Sequence, residues 1–106
     1  MAMIINKQLL KDSSKHKKIV VDFYATWCKP CVVIKPVLEE AAAKETDIEF
    51  VFINVDDYDK TFLKKEFGVI AIPNVQFWTE GKKVDFVVGA TDEPTMITKI
   101  IKFKQR

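Results

Sequence analysis

Hydrophobic and polar positions along this chain change their period several times, and each change marks an element. Lys18 to Ala25 reads Lys-Ile-Val-Val-Asp-Phe-Tyr-Ala. A near-continuous apolar run, rich in β-branched and aromatic residues, predicts a central strand covered on both faces. Over residues 30–46, Val33, Ile34, Val37, Leu38 and Ala41 recur at helical spacing, with Glu39, Glu40 and Lys44 between them. Pro36 falls inside this helix and predicts a kink, because it lacks a backbone donor. Ile48 to Val55 predicts a second buried strand, ending at Asp56-Asp57. Phe62, Leu63 and Phe67 give a further helix its apolar side, and Gly68 suits its C-terminal stop. After Pro73, the runs Val75–Thr79 and Lys83–Val88 flank Glu80-Gly81 and predict an antiparallel hairpin. Asp92 can cap a last helix, with Pro94 tolerated in its first turn. Its apolar side would hold Met96, Ile97, Ile100, Ile101 and Phe103, with Lys99, Lys102 and Lys104 toward water. Residues 7–15, polar and lysine-rich around Leu9 and Leu10, predict a short surface helix. The order helix, strand, helix, strand, helix, hairpin, helix predicts an α/β protein, with helices on both faces of a mixed sheet.

A chain of 106 residues fits a single domain, residues 1–106, and its 48% apolar content supplies a core without metal or disulfide staples. Seventeen basic residues against fifteen acidic ones leave a net charge of +2. No lysine or arginine run is interleaved with aromatics, so no nucleic-acid partner is expected. No apolar run approaches the ~20 residues of a membrane span. The N-terminus reads Met1-Ala2-Met3-Ile4-Ile5, with the first basic residue, Lys7, after the apolar stretch. That is not a signal-peptide pattern, and the expectation is a cytoplasmic protein. Nothing calls for an obligate oligomer, so a monomer is expected. The lysines are read as solvated surface, Trp78 as packing in the hairpin.

Cys28 and Cys31 are the only cysteines. They stand in Trp27-Cys28-Lys29-Pro30-Cys31, directly after a predicted buried strand and at the opening of a helix. Zinc needs about four ligands, and the remaining candidate, His16, has no ligand spacing to the pair. A second copy would have to contribute a second cysteine pair. A purely structural pair needs no tight turn between its members. A redox dithiol accounts for both spacing and placement. A thiolate, not a thiol, attacks disulfides. At the helix N-terminus, unpaired N–H groups and the dipole stabilise the anion, which favours Cys28 as the attacking thiol. Cys31, one turn later and deeper, would resolve the mixed disulfide. Pro30 fixes φ in the first turn, and Lys29 adds a positive charge beside the thiolate.

This motif resembles the active site of the thioredoxin family, and the likeness runs over nearly the whole chain. Val21-Asp22-Phe23-Tyr24-Ala25 is similar to the family's strand leading into the site, and Pro36 to the proline in its active-site helix. Ile72-Pro73 resembles its cis-proline, Gly81 its hairpin glycine, and Gly89-Ala90 the small residues lining its substrate groove. The resemblance implies a thioredoxin fold and general protein-disulfide reduction. No bound cofactor or metal is implied. It also implies a reversible Cys28–Cys31 disulfide recharged by a thioredoxin reductase, usually fed by NADPH. Asp22 would act as a base for Cys31, directly or through water. Trp27 would offer an apolar surface to targets, and the Ile72 backbone beside Pro73 would pair with an extended substrate segment.

The sequence departs from that pattern at four places. Lys29 stands where the family usually has Gly, and Asn74 where it usually has Thr. Val32 and Phe52 stand where many bacterial members have Lys. The missing lysine at Phe52 leaves Asp22 without its expected cation. Three rival functions compete with this reading. Oxidants and isomerases tend to carry His between the cysteines. Glutaredoxins have Pro directly after the first Cys. A binding module without turnover shares the fold, because fold does not fix function.

Overall fold

A computed structural model describes residues 18–106. The predicted first helix at residues 7–15, and His16, lie outside the described residues. Strand β1 (Lys18–Tyr24) carries the first apolar run, and its five inner residues are all buried. Alternation sends Ile19, Val21 and Phe23 to one side of the sheet, and Val20 and Asp22 to the other. Helix α1 (Lys29–Lys44) follows, then β2 (Ile48–Asn54), a short 3₁₀ turn (Val55–Asp57) and α2 (Lys60–Phe67). Strands β3 (Asn74–Thr79) and β4 (Lys82–Val88) form the hairpin, and α3 (Glu93–Lys104) closes the chain.

The sheet order is β2-β1-β3-β4. Strand β1 runs parallel to β2 and antiparallel to β3, which is antiparallel to β4. The sheet is therefore mixed. On one face Ile19, Val21, Phe23 and Trp78 pack against Leu63 and Phe67 of α2. On the other, Val20, Val75 and Phe77 pack against Ile34 and Leu38 of α1 and Met96, Ile100 and Phe103 of α3. Phe77 meets Phe103 edge-on at 5.3 Å between ring centroids. Each such buried side chain contributes about 1.5–3 kcal/mol by leaving water.

The helix ends follow their residues. Asp59 Oδ2 accepts from Phe62 N at 3.0 Å and caps α2. Gly68, at φ 69°, ends that helix in the left-handed region. Asp92 Oδ1 accepts from Thr95 N at 2.9 Å. The Thr95 side chain and backbone hydrogen bonds hold the Asp92 carboxyl below the usual range. Glu80 and Gly81 have φ of 52° and 75°, two successive left-handed residues in a two-residue hairpin turn.

Four expectations are corrected. Strand β2 is only half-buried: Ile48 and Ile53 alone are fully covered, because β2 is an edge of the described sheet. Val33 is 70% exposed, and Ile97 and Ile101 also face outward. Burial on α3 follows Met96, Ile100 and Phe103, which leaves the adjacent Ile97 and Ile101 at the rim of a groove toward α1. Lys99 does not face open water. It is half-buried and donates to both carboxylate oxygens of Asp85 on β4, at 3.0 Å each. Lys104 does face water, and there it pairs with Glu45 at 2.9 Å.

One buried polar bridge ties α2 to the hairpin. Gln76 Nε2 donates to the Phe67 carbonyl at 2.8 Å, and Gln76 Oε1 accepts from Trp78 Nε1 at 3.0 Å. Gln76→Met keeps the length of the side chain but strands a buried carbonyl and a buried indole N–H. It is expected to lower unfolding free energy by about 2–4 kcal/mol, read from a urea titration with an unchanged slope.

Candidate active site

The chain leaves the buried end of β1 at Ala25 and turns back over its own strand. Cys28 N donates to the Ala25 carbonyl at 3.3 Å, and Val32 N donates to the Cys28 carbonyl at 3.1 Å. Cys28 is thereby the N-cap of α1, in extended conformation at φ −91° and ψ 107°. Its Sγ accepts from Cys31 N at 3.3 Å. Among side chains at a helix start, a sulfur in this position takes one of the N–H groups that the helix leaves unpaired. Pro30 sits in the first turn, where its missing donor costs nothing. Cys28 and Cys31 are joined as a disulfide, with Cα atoms 5.2 Å apart. Cys31 is 1% exposed and Cys28 6%. The deeper placement of Cys31 agrees with its helix position. Both cysteines pack with Ala25, and Ile72 lies against them.

The other sequence-predicted residues surround this disulfide. Trp27 is 68% exposed. Its indole Nε1 donates to Asp56 Oδ2 at 2.8 Å, which fixes the plane of the ring. The Ile72–Pro73 bond is cis. Gly89 N donates to the Pro73 carbonyl at 2.8 Å, bringing the segment after β4 beside the loop before β3. Gly89 has φ 90°, a conformation that L side chains rarely adopt. Lys29 and Pro30, both exposed, share a shallow concavity with Ala90 and Thr91. Val32 is exposed, and Asn74 is buried with Oδ1 unbonded.

Asp22 is the electrostatic exception of the core. It is 1% exposed, and neither carboxylate oxygen has a hydrogen-bond partner. Burial pushes its carboxyl up to about 7, against a lowering pull from Lys35. Phe52 is its neighbour across the β1–β2 ladder, as the departures noted above require. The expectation that no cation serves Asp22 is nevertheless corrected. Lys35, on α1, lays its Nζ 4.4 Å from the Tyr24 ring centroid and 5.9 Å from that of Phe52. The helix supplies over the two rings the charge that β2 lacks.

Sequence reasoning passed over Lys35, Asp56 and Ile70. Lys35 follows Cys31 by four residues, so it shares the inward side of the helix. Asp56 follows the C-terminal end of β2, parallel to β1, so it emerges at the same sheet edge as Trp27. Ile70, 79% exposed, stands two residues before Ile72 with no periodic pattern to mark it.

With this geometry in view, the comparisons with known proteins are direct. The thioredoxin family model matches residues 4–102. The chain belongs to the thioredoxin family. It is 45% identical over 80 residues to Thioredoxin H8 of Arabidopsis thaliana, covering 76% of this chain and 51% of that one. It is 41% identical over 76 residues to a thioredoxin of Mycoplasmoides gallisepticum, covering 72% of this chain and 74% of that one. The chain thus spans about half the length of the Arabidopsis relative. The fold matches the X-ray structure of Fasciola hepatica thioredoxin with a TM-score of 0.78 and 34% identity, over 91% of this chain and 89% of that one. The fold predicted from the chain's resemblance is thus the fold observed. No helix among the described residues is long and apolar enough to cross a membrane.

The buried carboxyl gives a signed prediction. Between pH 3.8 and about 7 the folded protein holds a proton on Asp22 that the unfolded chain has released. This group's contribution to stability is complete below that window, declines as pH rises through it, and is gone above it. Asp22→Asn is expected to unfold with about 1–3 kcal/mol more free energy than the parent at pH 8, less than the full pKa shift implies because the amide also lacks a partner. The two proteins should converge near pH 4, as followed by urea denaturation across pH. Lys35→Met should raise the Asp22 carboxyl further, read from its side-chain carbon resonance during titration. A downward shift would show that the ammonium does not act on Asp22.

Proposed function

We propose that this protein reduces disulfides in target proteins, with Cys28 as the attacking sulfur and Cys31 as the resolving one. The observation that carries the reading is the N-cap disulfide, an outer sulfur held by a helix N–H and an inner one buried on the same turn. In the dithiol form, the Cys28 thiolate attacks one sulfur of the target disulfide and expels the other as a thiolate. Cys31 then gives up its proton, with Asp22 as the base, directly or through water, and attacks Cys28 Sγ. The second target sulfur leaves. Two electrons pass to the target, two protons complete its thiols, and Cys28–Cys31 is again the disulfide. A base that titrates near neutrality fits this step, and burial gives Asp22 that property.

Lys29 and the helix N-terminus stabilise the outer thiolate, and Pro30 stiffens the loop between the sulfurs. Trp27, Ile72, Pro73, Gly89 and Ala90 form the surface over which an extended target segment lies. A thioredoxin reductase, with NADPH as its electron source, returns the dithiol. No resident cofactor or metal enters this cycle. The protein works as a monomer in the cytoplasm, a reducing compartment that suits a two-cysteine inventory.

The test is insulin reduction with dithiothreitol as electron source. The protein is expected to accelerate precipitation of the insulin B chain, and no acceleration would leave it a binding module. Cys28→Ser should not react with a target disulfide at all. Cys31→Ser should attack once and stall as a mixed disulfide through Cys28. Complexes trapped through Cys31 in the Cys28→Ser protein would reverse the assignment. Asp22→Asn is expected to slow turnover at pH 7 by roughly ten-fold or more.

A further inference from the structure

The groove beside Trp27 carries charge for which disulfide exchange itself has no use. It has a volume of 480 Å³, and Trp27, Ile70 and Ile72 give it an apolar lining. Ile72 also packs against the cysteine cluster, so the groove lies beside the disulfide. Its far wall is α2, which contributes Lys60 and Lys64. Spacing of four residues puts both ammonium groups on one side of that helix. Both are exposed, and neither belongs to an ion pair among the described residues. Lys44, Lys99 and Lys104, by contrast, each hold a carboxylate. The groove has one acidic residue, Asp56, and its carboxylate is engaged by the Trp27 indole N–H at the near end. On the other side of the disulfide, the shallow concavity has Lys29 as its one charged lining residue. Three cations therefore border the path of a target segment against one carboxylate, which keeps its charge at the Trp27 end because the indole N–H is neutral.

We propose that Lys60 and Lys64 select target segments in which an apolar residue beside the cystine is followed by Asp or Glu. The inference rests on the disulfide-reducing function proposed above and names the class of target it prefers. The apolar side chain fills the Trp27–Ile70–Ile72 groove, and the carboxylates that follow reach the ammonium groups of α2. Exposed charges act through attraction during approach more than through tight pairing, so the preference appears in rate and is weakened by salt.

Two synthetic peptides test this. Each is closed by one internal disulfide and carries Leu after the second cysteine, followed by two Glu in one peptide and two Lys in the other. Pre-reduced protein is mixed with each peptide, and the rate ratio is divided by the ratio found with dithiothreitol alone, which removes the intrinsic reactivity of the peptides. At low ionic strength the Glu peptide is expected to react about three- to ten-fold faster, and the preference should collapse in about 0.5 M salt. Lys60→Gln with Lys64→Gln should bring the corrected ratio close to one, and Lys60→Glu with Lys64→Glu should invert it. Equal corrected rates, a preference for the Lys peptide, or a Glu preference that survives the double Gln change would each overturn the inference. Equal reduction of both peptides would leave the disulfide-reducing function standing, whereas reduction of neither would overturn that function and this inference with it.

Discussion

Strand β1 is hydrogen-bonded on both edges and covered on both faces, and everything at the site hangs from that confinement. Its Cα register is set at once by β2 and β3. A slip of one residue would carry Ile19, Val21 and Phe23 to the opposite face, where α1 and α3 pack. Each of those side chains is worth about 1.5–3 kcal/mol in its present place, so the slip is strongly opposed. The strand therefore delivers Ala25 to one fixed point. From there a single turn places Cys28 at the head of α1, and α1 returns over the strand that launched it. The position of the sulfur is thus determined by the most buried segment of the molecule, not by the loop that bears it.

That same confinement makes Asp22 expensive. A carboxyl with no hydrogen bonds, in the driest strand of the sheet, opposes folding whenever it is ionised. A sequence selected only for stability would place an apolar residue there, and such a conflict between local chemistry and global fold supports the role proposed for Asp22. Lys35 reduces the conflict without removing it. Its ammonium lies over Tyr24 and Phe52, a setting in which the ring faces favour a cation that is partly withdrawn from water. Since Lys35 belongs to the cysteine-bearing helix, any shift of α1 changes the separation of that charge from Asp22. The proton affinity of the buried acid and the placement of the sulfurs are therefore coupled through one element.

The fold was legible because its elements advertise themselves. The run at Lys18–Ala25, the Glu80-Gly81 turn, the Asp92 cap and the Gly68 stop each have one physical reading, and the structure bears each out. The cysteine pair was legible because its spacing came together with a place between a buried strand and a helix start, and with no further ligands for a metal. What escaped the sequence depends on partners distant along the chain. Lys99 looks like any surface lysine until Asp85 is brought beside it. Ile97 and Val33 satisfy a helical stripe, yet the covered part of each helix is narrower than the stripe. Lys35 was hidden because reading by position looked for a cation at Phe52, on the strand, whereas the space next to Asp22 is also within reach of the helix above. The charge comes from a different element than the one the resemblance pointed to, and a one-dimensional pattern does not register that.

Under the proposed function, the surface around the disulfide combines two kinds of recognition that act at different moments. Trp27 presents a large apolar face that is already held in place, because Asp56 accepts the indole N–H. Little rotamer freedom remains to be lost when a target covers it, so contact there is favoured for many partners without regard to detail. The lysines of α2 are the opposite: long, solvated and free to move, they gain little from a fixed geometry but act over a Debye length of about 10 Å before contact is made. A rigid apolar platform fixes where a target cystine comes to rest, and mobile charge biases which targets arrive. Separating the two keeps the sulfur chemistry general, since the charges lie along the groove and not at the reacting atoms. Selectivity can then vary with the residues on one face of α2 while β1, α1 and the disulfide between Cys28 and Cys31 stay as they are.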